Sequence, residues 1–290
     1  MRPLRLATRG SAQAVTQAEH VAAALRQTGV DVELMFVETS GDAVQNVPLH
    51  SIGGQGVFVK EVQVAVLDGR ADLAVHSAKD LRSSPEPGLL LAAFCERRTA
   101  ADALIGSRLI DLAAGATVAT GSVRRRRQIG RARPDVRFEE LRGNIETRLT
   151  RIPADGAIVM AVAALEILEL TDRIAEVLDP AEFVPAVGQG CVAVECRSGD
   201  GDVAAALESI DHPTTRREVE VERAFLAELG SGCSLPVGAY VDGLKLHTFL
   251  AGEDSGIIVS ETIELTGETG PDSDIARRAA RDAHDVVTST

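Results

Sequence analysis

Leu4-Arg5-Leu6-Ala7-Thr8-Arg9-Gly10-Ser11 reads as a short apolar strand, a glycine turn and a serine placed to cap a helix. The residues that follow supply that helix. Ala14, Ala18, Val21 and Leu25 recur at helical spacing, and Gly29 stops the run. A strand over 32–37, a helical pattern over 58–67 and a strand over 72–76 continue the alternation. Strands alternating with amphipathic helices predict an α/β fold with a mainly parallel sheet covered on both faces.

The rhythm restarts after Thr99 with a strand over 117–120, a helix from Ser122, a strand over 136–139, a helix from Asn144 and a strand over 157–161. Its opening, Ala119-Thr120-Gly121-Ser122, echoes Ala7-Thr8-Arg9-Gly10-Ser11. Both are strand ends passing through a glycine into a capped helix, whose free N–H groups suit an anion. Taken alone, either opening is more readily an ordinary capped turn. Residues 185–190 are turn-rich and suit a hinge, and 191–196 form a strand-like run that carries the chain back toward the first domain. From Thr214 the pattern becomes a long helix over 214–229, strands over 237–241, 245–250 and 257–265, and a helix from Asp272. We therefore expect three domains: 1–95 with 191–212, 99–188, and a small α+β domain over 214–290, with hinges near 95–99 and 188–190.

The chain has 290 residues, 45% of them hydrophobic, and a formal net charge of −13. That length exceeds what one core usually serves. Met1-Arg2-Pro3-Leu4-Arg5-Leu6 has no apolar leader region and no apolar run reaches membrane-spanning length, so a cytoplasmic protein is expected. The four cysteines form no CxxC pair and the six histidines are scattered, so the sequence calls for no metal site. With no Trp, one Tyr and a pI of about 5.0, the chain lacks the stacking platforms and broad basic face of a nucleic-acid binder.

Against this acidic background, Arg124 to Arg151 carries ten arginines, four carboxylates and no lysine. Such an island is either a solvated helix face or a site for an anion with several negative groups. Arginine's planar fork favours carboxylate or phosphate. A second candidate lies where the strand over 72–76 runs into Ser77-Ala78-Lys79-Asp80. Ligands of open α/β sheets bind beyond strand carboxyl ends, and a carboxylate there can stabilise a cation or donate a proton. Lys79-Asp80 alone is more often a surface pair. Cys233, in Gly230-Ser231-Gly232-Cys233-Ser234-Leu235-Pro236, is the one thiol on a loop; Cys95, Cys191 and Cys196 sit at strand-like positions.

Taken together these segments resemble the porphobilinogen deaminase (hydroxymethylbilane synthase) family over nearly the whole chain. The resemblance is carried by Ala7-Thr8-Arg9-Gly10-Ser11, Phe58-Val59-Lys60-Glu61, Ala74-Val75-His76-Ser77-Ala78-Lys79-Asp80, Leu141-Arg142-Gly143-Asn144 with Thr147-Arg148-Leu149, Pro185-Ala186-Val187-Gly188-Gln189-Gly190, Val194-Glu195-Cys196-Arg197 and Gly232-Cys233. In this order the motifs are specific, although each alone is weak. The resemblance implies two periplasmic-binding-protein-like (type II) α/β domains plus a small α+β C-terminal domain, with a cleft between the first two.

It also implies the chemistry. Four porphobilinogens condense head to tail, with release of ammonia, onto a covalent dipyrromethane primer, and hydrolysis frees hydroxymethylbilane for tetrapyrrole biosynthesis. The dipyrromethane cofactor would be joined by a thioether to Cys233. Asp80 would be the catalytic carboxylate, assisting loss of ammonia and stabilising the cationic pyrrole intermediate. Arg9, Ser11, Ser77, Lys79, Thr120, Ser122, Arg124, Arg125, Arg142, Gly143, Asn144, Arg148 and Gln189 would bind cofactor and substrate. Arg126, Arg127, Arg131, Arg133, Arg137 and Arg151 are left as solvated or structural. Gln55, Gly121 and Arg82 depart from the commoner Lys, Ser and Pro of the family. A monomer handing its product to uroporphyrinogen-III synthase is expected. The alternative is a two-domain anion-binding module without catalysis, which would have no use for a loop thiol.

Overall fold

The computed structural model describes residues 2–38, 59–230, 236–252 and 255–289. The chain runs β1 (Leu4–Thr8), α1 (Ala12–Gln27), β2 (Val32–Phe36), α2 (Lys60–Leu67), β3 (Leu73–Ser77) and β4 (Leu89–Phe94), then β5 (Asp102–Ile105) and β6 (Thr117–Ala119). It continues through α3 (Val123–Ala132), β7 (Arg137–Glu139), α4 (Ile145–Leu149), β8 (Ala157–Ala161), α5 (Val162–Glu166), β9 (Glu176–Val177), β10 (Val192–Arg197) and α6 (Gly201–Glu208). Last come α7 (Pro213–Glu228), β11 (Val237–Asp242), β12 (Lys245–Ala251), β13 (Ile258–Glu264) and α8 (Thr269–Thr288).

These strands form two five-stranded sheets, ordered β2-β1-β3-β10-β4 and β7-β6-β8-β5-β9, and a three-stranded sheet β11-β12-β13. The first two share one plan. In each, four strands run one way and a single strand runs against them: β10 between β3 and β4, β5 between β8 and β9. The sheets are therefore mainly parallel in strand direction, as local periodicity suggests, but mixed, with one antiparallel strand that periodicity does not foretell. The physical reason is where the antiparallel strand comes from. β5 and β10 are the first strands after the chain has crossed from the other sheet, so each enters its new sheet against the run of its neighbours.

Local chemistry accounts for the helix ends. Ser11 accepts from the Ala14 N–H at 3.3 Å and Asp200 from the Val203 N–H at 3.3 Å, capping α1 and α6. Pro213 and Pro271 lie in the first turns of α7 and α8, where a missing N–H costs nothing, so α8 begins ahead of the expected Asp272. Leu6, Leu25, Leu73, Val194 and Leu207 pack one face of the first sheet, and Val62, Ala65 and Val66 of α2 cover the other. Ile129, Val118 and Leu104 fill one side of the second sheet, and Ile158 and Leu165 the other. Phe225, Leu246 and Ala276 centre the C-terminal core.

The two crossings between the sheets run against each other. Arg98 N–H donates to Gly190 O at 2.9 Å, and Gly190 has φ +88°, with the position of a Cβ only 2.5 Å from Arg98 O. Only glycine fits there without moving backbone. Gly190→Ala is expected to cost about 3 kcal/mol, from strain plus overpacking. Gly29→Ala shares the positive φ, at +85°, but meets nothing within 4 Å. It should cost only about 1 kcal/mol. Thermal melts of the two variants beside the parent check the difference.

Candidate functional site

The site is built where the two α/β sheets turn their parallel strand ends toward each other. From the first sheet, β3 delivers Ser77 and a single 3-10 turn, Ala78–Asp80. Ser77 Oγ donates to Gln17 Oε1 at 3.2 Å and accepts from Gln17 Nε2 at 3.0 Å, which ties the strand end to α1. Arg9 sits half-buried at the end of β1. A narrow cleft of about 20 Å³ between the sheets is lined by Gln17, Ser77, Lys79, Arg98, Ala161 and Cys191.

From the second sheet come the cations. Ser122 caps α3, accepting from Arg125 N–H at 3.4 Å, and the buried Thr120 Oγ1 accepts from Ser122 N–H at 3.2 Å. This cap sets Arg124 and Arg125 on the first turn of α3, both turned inward and buried. Asp102, 1% exposed at the start of β5, joins them: its Oδ2 accepts from Arg124 Nη2 at 2.8 Å and its Oδ1 from Arg125 Nη2 at 2.6 Å. Burial alone would raise the Asp102 carboxyl, but Arg124, Arg125 and Gln189 outweigh it and hold it well below the usual range.

Gly143, with φ +115°, turns the chain into α4, and Asn144 Oδ1 caps that helix through Thr147 N–H at 2.9 Å. Arg148 Nε donates to Gly143 O at 2.7 Å. Burial lowers the Arg148 guanidinium to about 10, with Arg125 and Arg142 pushing the same way and Asp80 opposing. Lys79 is lowered to about 8 by burial and Arg125, with Arg124 adding and Asp80 and Asp102 opposing. These mutual influences put Lys79, Asp80, Arg125, Arg142 and Arg148 in one electrostatic neighbourhood. Two polar atoms in it, Arg125 Nε and Arg142 Nη1, are buried and without a hydrogen-bond partner among the described residues.

The expected site residues thus divide. Lys79, Asp80, Arg125, Arg142 and Arg148 converge. Ser11, Ser122 and Asn144 cap their own helices. Arg124 donates to Val184 O at 2.7 Å and to Asp102, Arg125 donates to Val159 O at 3.0 Å and to Asp102, and the Gln189 amide, 1% exposed, bonds inside the protein. Cys233 and Gln55 lie outside the described residues. Arg126 binds Thr120 O, Arg133 binds Leu112 O and Asp135, and Arg137 binds Gly115 O, which makes these three structural. At Gly121, a Cβ would stand 2.7 Å from Glu140 Oε1, so the Ser common in the family has no room unless Glu140 swings away.

Two contributors escaped the sequence reading. Asp102 is one; its signal, a lone carboxylate opening the apolar run Asp-Ala-Leu-Ile, resembles any strand edge. The other is Glu222 of α7, 0% exposed, which binds Arg97 Nη1 at 2.6 Å and accepts Gly188 N–H at 2.8 Å and Val241 N–H at 2.9 Å. It fastens the C-terminal unit to both crossings. Breaking such a buried pair from one side costs about 3 to 5 kcal/mol. The described cysteines are poor nucleophiles: burial, aided by Asp211, pushes Cys95 up to about 12, burial and Asp200 push Cys196 up to about 11, and burial raises Cys191 as well. Among the described residues no helix is long and apolar enough to cross a membrane, and no group of His, Cys, Asp and Glu is arranged to hold a metal.

Comparisons with known proteins agree on one family. Residues 4–205 match the family model described as porphobilinogen deaminase, dipyromethane cofactor binding domain, and residues 216–283 match porphobilinogen deaminase, C-terminal domain. The porphobilinogen deaminase of Acidothermus cellulolyticus is 43% identical over 292 residues, covering 96% of this chain and 88% of the relative. That of Nitratidesulfovibrio vulgaris is 42% identical over 275 residues, covering 92% and 84%. Among solved structures, a lipoprotein of the YaeC family from Enterococcus faecalis V583 is 14% identical, with 74% of this chain and 93% of that one covered at a TM-score of 0.43.

Proposed function

The chain belongs to the porphobilinogen deaminase family, and from that premise we infer how its own residues do the work. It is a transferase that polymerises porphobilinogen in tetrapyrrole biosynthesis. In our reading four porphobilinogens add head to tail, four ammonia molecules leave, and water releases hydroxymethylbilane. A dipyrromethane cofactor, held by a thioether from Cys233, supplies the primer on which the chain grows.

The residues present suit such a group. Porphobilinogen and dipyrromethane carry acetate and propionate arms, and the cluster holds two buried guanidinium atoms, Arg125 Nε and Arg142 Nη1, that no described residue satisfies. Carboxylate arms would complete them. The shared electrostatic neighbourhood, in which Asp80 and Arg125 both act on Lys79 and Arg148 and Arg142 acts on Arg148, together with the two unsatisfied guanidinium atoms, supports the assignment of residues. The cations orient the arms, and Ser77, Thr120 and the N-termini of α1 and α3 flank them. In our reading Asp80 is the carboxylate that meets the ring system. Its oxygens accept the pyrrole N–H and offset the positive charge that develops as ammonia departs.

We divide the chain functionally as 1–95 with 191–212 for the catalytic segment, 99–188 for the carboxylate-binding arginines and 214–290 for the cofactor-bearing cysteine. The protein works as a cytoplasmic monomer and passes its product to uroporphyrinogen-III synthase. The test is direct. Purified protein given porphobilinogen should release one ammonia per substrate consumed and form a linear tetrapyrrole that closes to a porphyrinogen on standing. Substrate binding without ammonia release would instead favour the non-catalytic anion-binding module.

A further inference from the structure

Gln189 stands in the crossing segment between β9 and β10, yet its side chain reaches three parts of the molecule. Its Nε2 donates to Ala100 O at 2.7 Å and to Asp102 Oδ1 at 2.8 Å, and its Oε1 accepts from Lys79 Nζ at 3.2 Å. The amide has one permissible orientation. Flipped, it would set its oxygen against a carbonyl and a carboxylate, and its NH₂ against an ammonium. Asp102 fixes that orientation while holding Arg124 and Arg125 through both oxygens.

We propose that Asp102 is a positioning residue of the reaction: through the Gln189 amide it sets the Lys79 ammonium beside Asp80, and through its own carboxylate it sets Arg125. One buried side chain of the second sheet thereby places both a cation of the first sheet and a cation of α3 for the substrate. The proposal rests on Lys79 and Asp80 belonging to the reacting site. A buried ion pair kept only for the fold has no reason to be wired to Lys79 across the crossing.

The electrostatic consequence has a definite sign. Among the described residues the charged groups around Lys79 are Asp80 on its own turn, Arg124 and Arg125 on α3, Asp102 on β5 and Arg98, which lines the same cleft from the crossing, with Gln189 neutral between. Arg148, lowered by Arg125 and raised by Asp80, belongs to the same group of charges. The arginines drive the ammonium toward its neutral form and the carboxylates hold its proton. Lys79 therefore loses charge as pH rises through about 8. With the Asp102 charge removed, or the Gln189 acceptor removed, that loss comes at lower pH.

The experiment uses holoprotein of the parent, Asp102→Asn and Gln189→Met, the last leaving the Asp102 pairs with both arginines intact. Lys79 is titrated directly by brief acetic anhydride labelling across pH 6 to 10, read by peptide mass, beside the pH profile of tetrapyrrole formation. In both variants the labelling midpoint and the alkaline limb of activity are expected to move down together by about one pH unit. A labelling midpoint unchanged in both overturns the proposal. So does a midpoint that moves while the alkaline limb stays. Should Asp102→Asn not fold, Gln189→Met decides alone. A parent that labels normally but makes no tetrapyrrole would mark failure of the underlying function and not of this wiring.

Discussion

Asp80→Asn is expected to keep most affinity for porphobilinogen while the rate of its condensation falls roughly 100- to 10,000-fold. Asparagine preserves the shape and one acceptor oxygen but carries neither charge nor a transferable proton. The cations proposed to bind the arms, Arg125, Arg142 and Arg148, keep their side chains in the variant. Arg148 loses an influence that raises it, yet it starts from about 10 and stays charged at neutral pH. Lys79 starts from about 8 and loses the same support, so its charge is at risk in the variant. Measurements at pH 6.5 keep Lys79 protonated and isolate the effect of the carboxylate. Single-turnover rates and equilibrium binding at that pH are the check. Equal losses in both would make Asp80 a structural residue and return the chemistry to some other group.

Cys233→Ser is expected to remove both a covalent adduct and all turnover. Intact mass of the purified parent should exceed its sequence mass by one dipyrromethane, and the variant should show the sequence mass alone. The remaining thiols cannot substitute. Cys95, Cys191 and Cys196 are held in the protonated form by burial, and all three belong to the first sheet or its edges. A parent that is active with no added mass would overturn the covalent primer.

Much of the fold was legible because its signals are local. The cap at Ser11, the stripe Ala18, Val21 and Leu25, and the run 157–161 need only a few neighbours to be read, and β1, α1 and β8 fall where those signals put them. The direction of β5 and β10 was not legible, because it depends on which sheet the chain has just left. α6 was missed because Ser198-Gly199-Asp200-Gly201 looks like a plain turn, although Asp200 in fact caps a helix there. In the site, charge type was readable and commitment was not. Nothing in Arg124-Arg125 says that one side chain closes on Val184 O and Asp102 while the other keeps its Nε unsatisfied; that follows from burial beside Asp102, 22 and 23 residues away. The partners of the Gln189 amide were hidden for the same reason. An amide in a turn-rich crossing reveals its partners only when the strands around it are assembled.

The plan of the two sheets also governs the order in which a ribosome can complete them. The second sheet has its last strand once Glu176 and Val177 have been made, whereas the first holds β10 between β3 and β4 and lacks that strand until Arg197. During synthesis, β4 therefore has no partner in its sheet while the later half is already able to close. Domains commonly fold from the N-terminus as they emerge. Here the half made first finishes second, and its exposed strand edges must stay soluble for about a hundred residues of translation.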